Sequence, residues 1–71
     1  MDKPDWKDAP NWADWLAQDA DGWYSWWNIK PVSCDIAKCW NQDKGRKGYK
    51  YLDISVGEIP ADWLNALEPR P

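Results

Sequence analysis

The chain is expected to fold as a mainly β (α+β) domain, a small antiparallel β-meander closed by a short C-terminal helix. Three observations carry that expectation. Tyr49-Lys50-Tyr51-Leu52-Asp53-Ile54-Ser55-Val56 alternates strictly, with Leu52, Ile54 and Val56 on one face and Tyr49, Tyr51, Asp53 and Ser55 on the other. Half-buried antiparallel strands show this alternation. Two aromatic runs flank Asp19-Ala20-Asp21-Gly22, a turn signal with Gly available for positive φ, and so read as a hairpin. A chain of 71 residues is long enough for one domain and for a single core of marginal size.

Residues 1–11 are polar, contain Pro4 and Pro10, and are expected to form a flexible N-terminal arm, leaving 12–71 as the β-rich domain. From Trp12 to Gln18 a strand is expected; a short helix is the rival, since Trp12, Trp15 and Leu16 also fit i, i+3, i+4 spacing. After the Asp-rich turn, residues 23–29 are aromatic and β-branched and end at Pro31. Residues 34–40 make a third, short strand, and 41–48 a polar loop with two glycines. The strand at 49–56 follows. Pro60 then opens a helical turn in which Trp63, Leu64 and Leu67 form one stripe, and Pro69 stops it. Leu52, Ile54, Val56, Leu64 and Leu67 are the expected core.

Eight tryptophans, three tyrosines and no phenylalanine or histidine define the composition. Trp buries about 150–250 Å², and a domain of this size hides only about 60% of its unfolded surface. Some of the eight rings are therefore expected to face outward, where Trp marks binding hot spots. The run Trp23-Tyr24-Ser25-Trp26-Trp27 places rings on both faces of one strand. Either the uncovered side presents an aromatic patch to a partner protein, or the arm or the C-terminal helix folds across it. Both alternatives stand.

The formal net charge is −3. That balance argues against nonspecific binding to duplex DNA or an anionic membrane, which calls for a basic surface. Charge is uneven, however. Residues 1–28 carry six Asp and two Lys, residues 29–50 carry six Lys or Arg and two Asp, and the remainder is acidic. Within the basic segment Lys38, Trp40, Lys44, Arg46, Lys47, Tyr49, Lys50 and Tyr51 interleave cations with rings. Such a set suits a nucleotide or single-stranded nucleic acid, phosphates on the cations and a base stacked on a ring. The plainer account is a soluble hairpin edge, its tyrosines covering the outer sheet face beside solvated lysines. No apolar run approaches the length of a membrane span, and the first residues lack the apolar stretch of a secretory signal, so a cytosolic setting is the expectation.

Catalytic motifs are hard to find. The chain has no His, no Gly-x-Ser-x-Gly, no phosphate-cradling glycine loop and two Glu, and no enzymatic activity, metal or cofactor is expected. The Asp residues sit mostly beside turns, where they cap and bend backbone. Those at the N-terminal end are too few and too interrupted by lysine for a full DNA mimic. Cys34 and Cys39 cannot supply the four ligands of a structural zinc site. They can face each other across a reversal at 35–38, and in a reducing compartment they are expected as free thiols.

Ala9-Pro10-Asn11-Trp12-Ala13, Asp19-Ala20-Asp21-Gly22, Trp23-Tyr24-Ser25-Trp26-Trp27, Lys30-Pro31 and the tail Trp63-Leu64-Asn65-Ala66-Leu67-Glu68-Pro69-Arg70-Pro71 follow one another in a recognisable order. This order resembles a group of small Trp-rich acidic proteins of tailed bacteriophages, with Ala66 where that group usually has Ser. The resemblance covers both ends and skips most of residues 32–57. It implies a phage accessory protein acting in the host cytoplasm by binding and inhibiting a host component, a defence component above all. It brings no catalytic residues.

Three functions follow as expectations. The first is that inhibitor, with Trp23, Trp26 and Trp27 as its aromatic surface. The second is a nucleotide or single-strand binder using Trp40, Lys44, Arg46, Lys47, Tyr49, Lys50 and Tyr51. The third is a virion structural or assembly protein. The oligomeric state is left open by the sequence, a homo-oligomer included.

Overall fold

A computed structural model describes residues 3–42 and 48–71. The architecture is mainly β. Among the described residues six strands run in chain order: β1 (Trp15–Gln18), β2 (Trp23–Trp27), β3 (Val32–Cys34), β4 (Cys39–Asn41), β5 (Tyr51–Val56) and β6 (Leu67–Pro69). An antiparallel four-stranded sheet has the order β5-β2-β1-β6, and β3-β4 forms a separate hairpin.

The β1–β2 hairpin is the centre of the sheet, with Trp15 opposite Trp27, Leu16 opposite Trp26 and Ala17 opposite Ser25. Its turn follows the chemistry of its residues. Gly22 N–H donates to Asp19 C=O at 2.9 Å, Asp21 Oδ1 accepts from Trp23 N–H at 3.2 Å, and Gly22 takes φ +99. A Cβ on Gly22 would lie 2.6 Å from Gly57 O, so glycine is required here by space as well as by φ.

Successive residues of a strand point to opposite faces, and β2 carries Trp26 and Trp27 in succession. Both are buried, at 2% and 3% exposure. Each face therefore needs a cover. On one face Ala13, Leu16 and Trp26 are covered by Trp6, Ala9 and Trp12, with Tyr24 and Ile54 packed alongside. On the other Ala17, Trp27 and Trp40 are joined by Trp15, Trp63 and Leu67.

The N-terminal segment lies against the sheet. Its 3-10 turn Trp6–Asp8 is capped by Asp5, and the Trp6 ring sits 4.8 Å from that of Trp26, tilted by 59°. Glu68 holds it there, accepting from Trp6 Nε1 and Lys3 Nζ, each at 2.6 Å, while the Arg70 guanidinium lies 5.8 Å over the Trp6 ring. Burial pushes the Glu68 carboxyl up, but those two hydrogen bonds and the Lys3 charge outweigh it and hold it below its ordinary value.

Residues 34–40 are not one strand. They turn back at 35–38, where Lys38 has φ +58 and its N–H donates to Cys34 C=O, so Cys34 faces Cys39 across β3-β4. Both thiols are free. The C-terminal helix is only the 3-10 turn Trp63–Asn65, followed by β6. A segment this short between Pro60 and Pro69 cannot repay helix nucleation, whereas the free edge of β1 offers its backbone immediate partners. Pro69 is tolerated because β6 is an edge strand.

The core differs most. In β5, Ser55 opposes Tyr24 and Asp53 opposes Ser25, leaving Ile54 as an extra residue. Such a bulge breaks the alternation. Leu52 then pairs with Trp26 and Val56 with Trp23, residues on opposite faces, and both aliphatic side chains are about half exposed. Ile54 turns into the first cluster. Leu64 is exposed, while Leu67 packs on the second cluster. Tryptophan supplies the core that aliphatic residues were expected to form.

Two stability outcomes follow. Trp26→Ala should cost about 3–5 kcal/mol in urea unfolding, enough to leave the domain largely unfolded, whereas Leu52→Ala should cost less than about 1 kcal/mol. Gly22→Ala should lower stability by about 1–3 kcal/mol, since the residue must hold positive φ and displace Gly57. Urea unfolding and thermal melts of the three variants beside the parent check both.

Candidate functional site

On the second face, Tyr51 and Asp53 of β5 are exposed beside the β3-β4 hairpin. Tyr51 opposes Trp27 in the register, and their rings stack at 4.9 Å and 19°. Tyr49 stands 6.2 Å from Tyr51, only 9° from parallel, and 6.4 Å from Trp27, so each of the three rings neighbours the other two. Trp27 is buried and acts as the floor; Tyr49 and Tyr51 are exposed. The Trp27 indole N–H donates to Ser25 Oγ at 2.9 Å, which fixes the innermost ring.

Beside this ladder runs a cleft of about 270 Å³ lined by Asp19, Asp53, Trp40, Asn41, Gln42 and Cys39, among others. Trp40 is locked on its wall: its indole N–H donates to Gln18 C=O at 2.9 Å, and its backbone N–H to Asp19 Oδ1 at 2.8 Å. Asp53 enters from β5, directly opposite Ser25. Among the described residues neither Asp19 nor Asp53 forms a salt bridge. Burial drives the Asp19 carboxyl above its ordinary value. The Trp40 N–H opposes this, and the charges of Asp21 and Asp53 reinforce it.

The Cys39 thiol is likewise pushed up, by burial and then by Asp19, Cys34 and Asp21. A thiol so placed is a weak nucleophile, since the thiolate is the reactive form. Among the described residues no group of three or more potential ligands is arranged to hold a metal ion. The arrangement offers aromatic faces for stacking and carboxylates for ionic contacts.

The residues singled out by sequence scatter. Trp27, Trp40, Tyr49 and Tyr51 come together at the cleft. Trp26 points to the opposite face and is buried under Trp6, so its ring presents no surface. Trp23 is 42% exposed, the most exposed tryptophan of the chain, and lies at the far end of β2 opposite Val56. Lys50 is exposed, with its backbone paired to the Asn28 side chain at 2.6 Å. Lys44, Arg46 and Lys47 lie outside the described residues.

Asp19 and Asp53 were missed as site residues. Asp53 shares the alternating face of Tyr49 and Tyr51 in the sequence, so a signal existed. Asp19 reads only as a turn residue, because its approach to Trp40 depends on the packing of a distant hairpin. No family model, curated protein or solved structure matches the chain.

The raised carboxyl of Asp19 fixes the sign of one substitution. The folded state holds the proton above the pH at which the unfolded chain releases it. Ionised Asp19 therefore subtracts from stability at neutral pH, and the loss disappears as pH falls through the folded value. Asp19→Asn keeps an acceptor for Trp40 and removes the charge. It should melt at the same temperature as the parent or higher at pH 7, with the difference vanishing in acid; a pH series of thermal melts reads this.

Proposed function

We propose that this is a non-enzymatic binding protein that engages and inhibits a partner protein through the Tyr49–Tyr51 ladder and the cleft beside it. The observation that carries this reading is the parallel, exposed pair of tyrosines anchored on buried Trp27. Aromatic rings held rigidly at a surface lose little entropy on binding and concentrate interface energy. With the resemblance of both ends of the chain to small phage proteins, the setting proposed is the host cytoplasm and the partner a host, defence-related component. The centre of recognition moves from Trp26 and Trp27 to Tyr49 and Tyr51, because the first pair is consumed by the core.

A nucleotide or single-strand reading has one observation in its favour, the same parallel tyrosines, since a base could stack on them. Lys50 adjoins them, and in the sequence Lys44, Arg46 and Lys47 stand between Gln42 and Tyr49, both of which line the cleft. Asp19 and Asp53 count against it, because a phosphate near them meets two carboxylates without a partner cation among the described residues.

The two readings separate by mutation and salt. A host protein captured on the immobilised chain, then purified, should bind Tyr51→Ala at least about tenfold more weakly than the parent. The triple Lys44→Ala, Arg46→Ala, Lys47→Ala variant should stay within about threefold. The opposite pattern, with affinity falling steeply as salt rises and nucleotide co-purifying, would move the assignment to the phosphate ligand.

A further inference from the structure

We propose that the cleft between the tyrosine ladder and the carboxylates of Asp19 and Asp53 receives an arginine side chain of the partner protein. The inference rests on the protein-binding reading above and gives that partner its chemistry.

Charge complementarity is the first argument. Asp19 and Asp53 both line the cleft, and among the described residues neither has a cationic partner. Asp21 adds a third negative charge from the same turn, felt at Asp19. A cation entering here relieves a repulsion already present in the free protein. Shape is the second. A guanidinium is planar, stacks on aromatic faces and carries a fork of donors matched to carboxylate oxygens, which an ammonium does not. The Tyr49 and Tyr51 rings, 9° from parallel, offer it a flat platform beside those oxygens. The amides of Asn41 and Gln42 add further acceptors along the wall.

Size is the third. The cleft measures about 270 Å³, just under the range of about 300–1,000 Å³ typical of small-molecule sites. One long side chain fits that space better than a whole nucleotide does. Rigidity is the fourth. Asp19 is tied to the Trp40 backbone and Trp27 to Ser25 Oγ, so the floor and one wall are fixed before any ligand arrives.

The test is an NMR titration of the full chain, following the Tyr49 and Tyr51 ring signals and the Asp53 amide. The probes are N-acetyl-arginine methylamide, its neutral isostere N-acetyl-citrulline methylamide, and guanosine 5′-monophosphate. The arginine compound is expected to give saturable shifts at all three positions. The citrulline compound should bind at least about tenfold more weakly. Asp53→Asn and Asp19→Asn should each weaken the arginine compound about three- to tenfold while leaving the melting temperature at or above that of the parent. Equal binding of arginine and citrulline compounds, no saturable shift with the arginine compound, or saturation by the nucleotide alone would each overturn the proposal.

The captured partner distinguishes this failure from failure of the broader reading. If Tyr51→Ala abolishes capture but the Asp19→Asn, Asp53→Asn double variant does not, protein binding at this surface stands and the arginine assignment falls. If capture survives Tyr51→Ala, the surface itself is wrong.

Discussion

Everything in this fold answers to one constraint: adjacent tryptophans, Trp26 and Trp27, in the central strand β2. Neighbouring residues in a strand project to opposite sides, so burying both requires a cover on each face of a sheet only four strands wide. A chain of this length cannot supply a second sheet for each side. It uses the N-terminal segment for Trp26 and the β3-β4 hairpin with the Trp63 turn for Trp27. The tryptophan surplus is resolved the same way. Trp6, Trp12, Trp40 and Trp63 are pieces of those covers, Trp15 packs beside Trp27 from β1, and only Trp23 is left substantially in solvent.

Covers made of irregular segments need polar fastening, because little regular backbone pairing holds them. Glu68 binds Lys3 and Trp6 to the C-terminal strand, and Arg70 reaches the carbonyls of Pro10 and Ala13. On the other side Trp40 is hydrogen-bonded to Gln18 and Asp19. The buried Gln18 amide bridges the carbonyls of Gly22 and Glu58, joining the hairpin turn to the chain that follows β5. Among the described residues no buried side-chain polar atom lacks a partner, as expected where each such loss would cost about 1–3 kcal/mol.

The cleft is the place where the second cover ends. Trp40 and Cys39 form its rim, while β5 carries Tyr51 and Asp53 beyond it. The bulge at Ile54 matters here as well. Up to the bulge the alternation holds, with Leu52 and Ile54 on the first face and Tyr51 and Asp53 on the second, opposite Trp27 and Ser25; past it Ser55 opposes Tyr24 and Val56 opposes Trp23, so those two exchange faces. Without that extra residue the strand would keep the simple alternation of its sequence along its whole length.

By itself, the sequence determined what depends on neighbours in the chain: the β character of residues 23–27 and 51–56, the Asp-Gly turn between β1 and β2, and the shared face of Tyr49, Tyr51 and Asp53. These follow from side-chain alternation and turn geometry, which act over a few residues. Tertiary structure decided the rest. Whether Trp26 and Trp27 would be ligand or core turned on Trp6, Trp12, Trp40 and Trp63, all distant in the chain, and adjacency in sequence carries no trace of them. The C-terminal segment became a strand because β1 had an open edge, the bulge placed Ser55 and Val56 opposite to their pattern, and Asp19 became a cleft residue through Trp40. Each outcome reflects a partner distant in the chain, and the energy of burying a ring or pairing a backbone edge outweighs local preference.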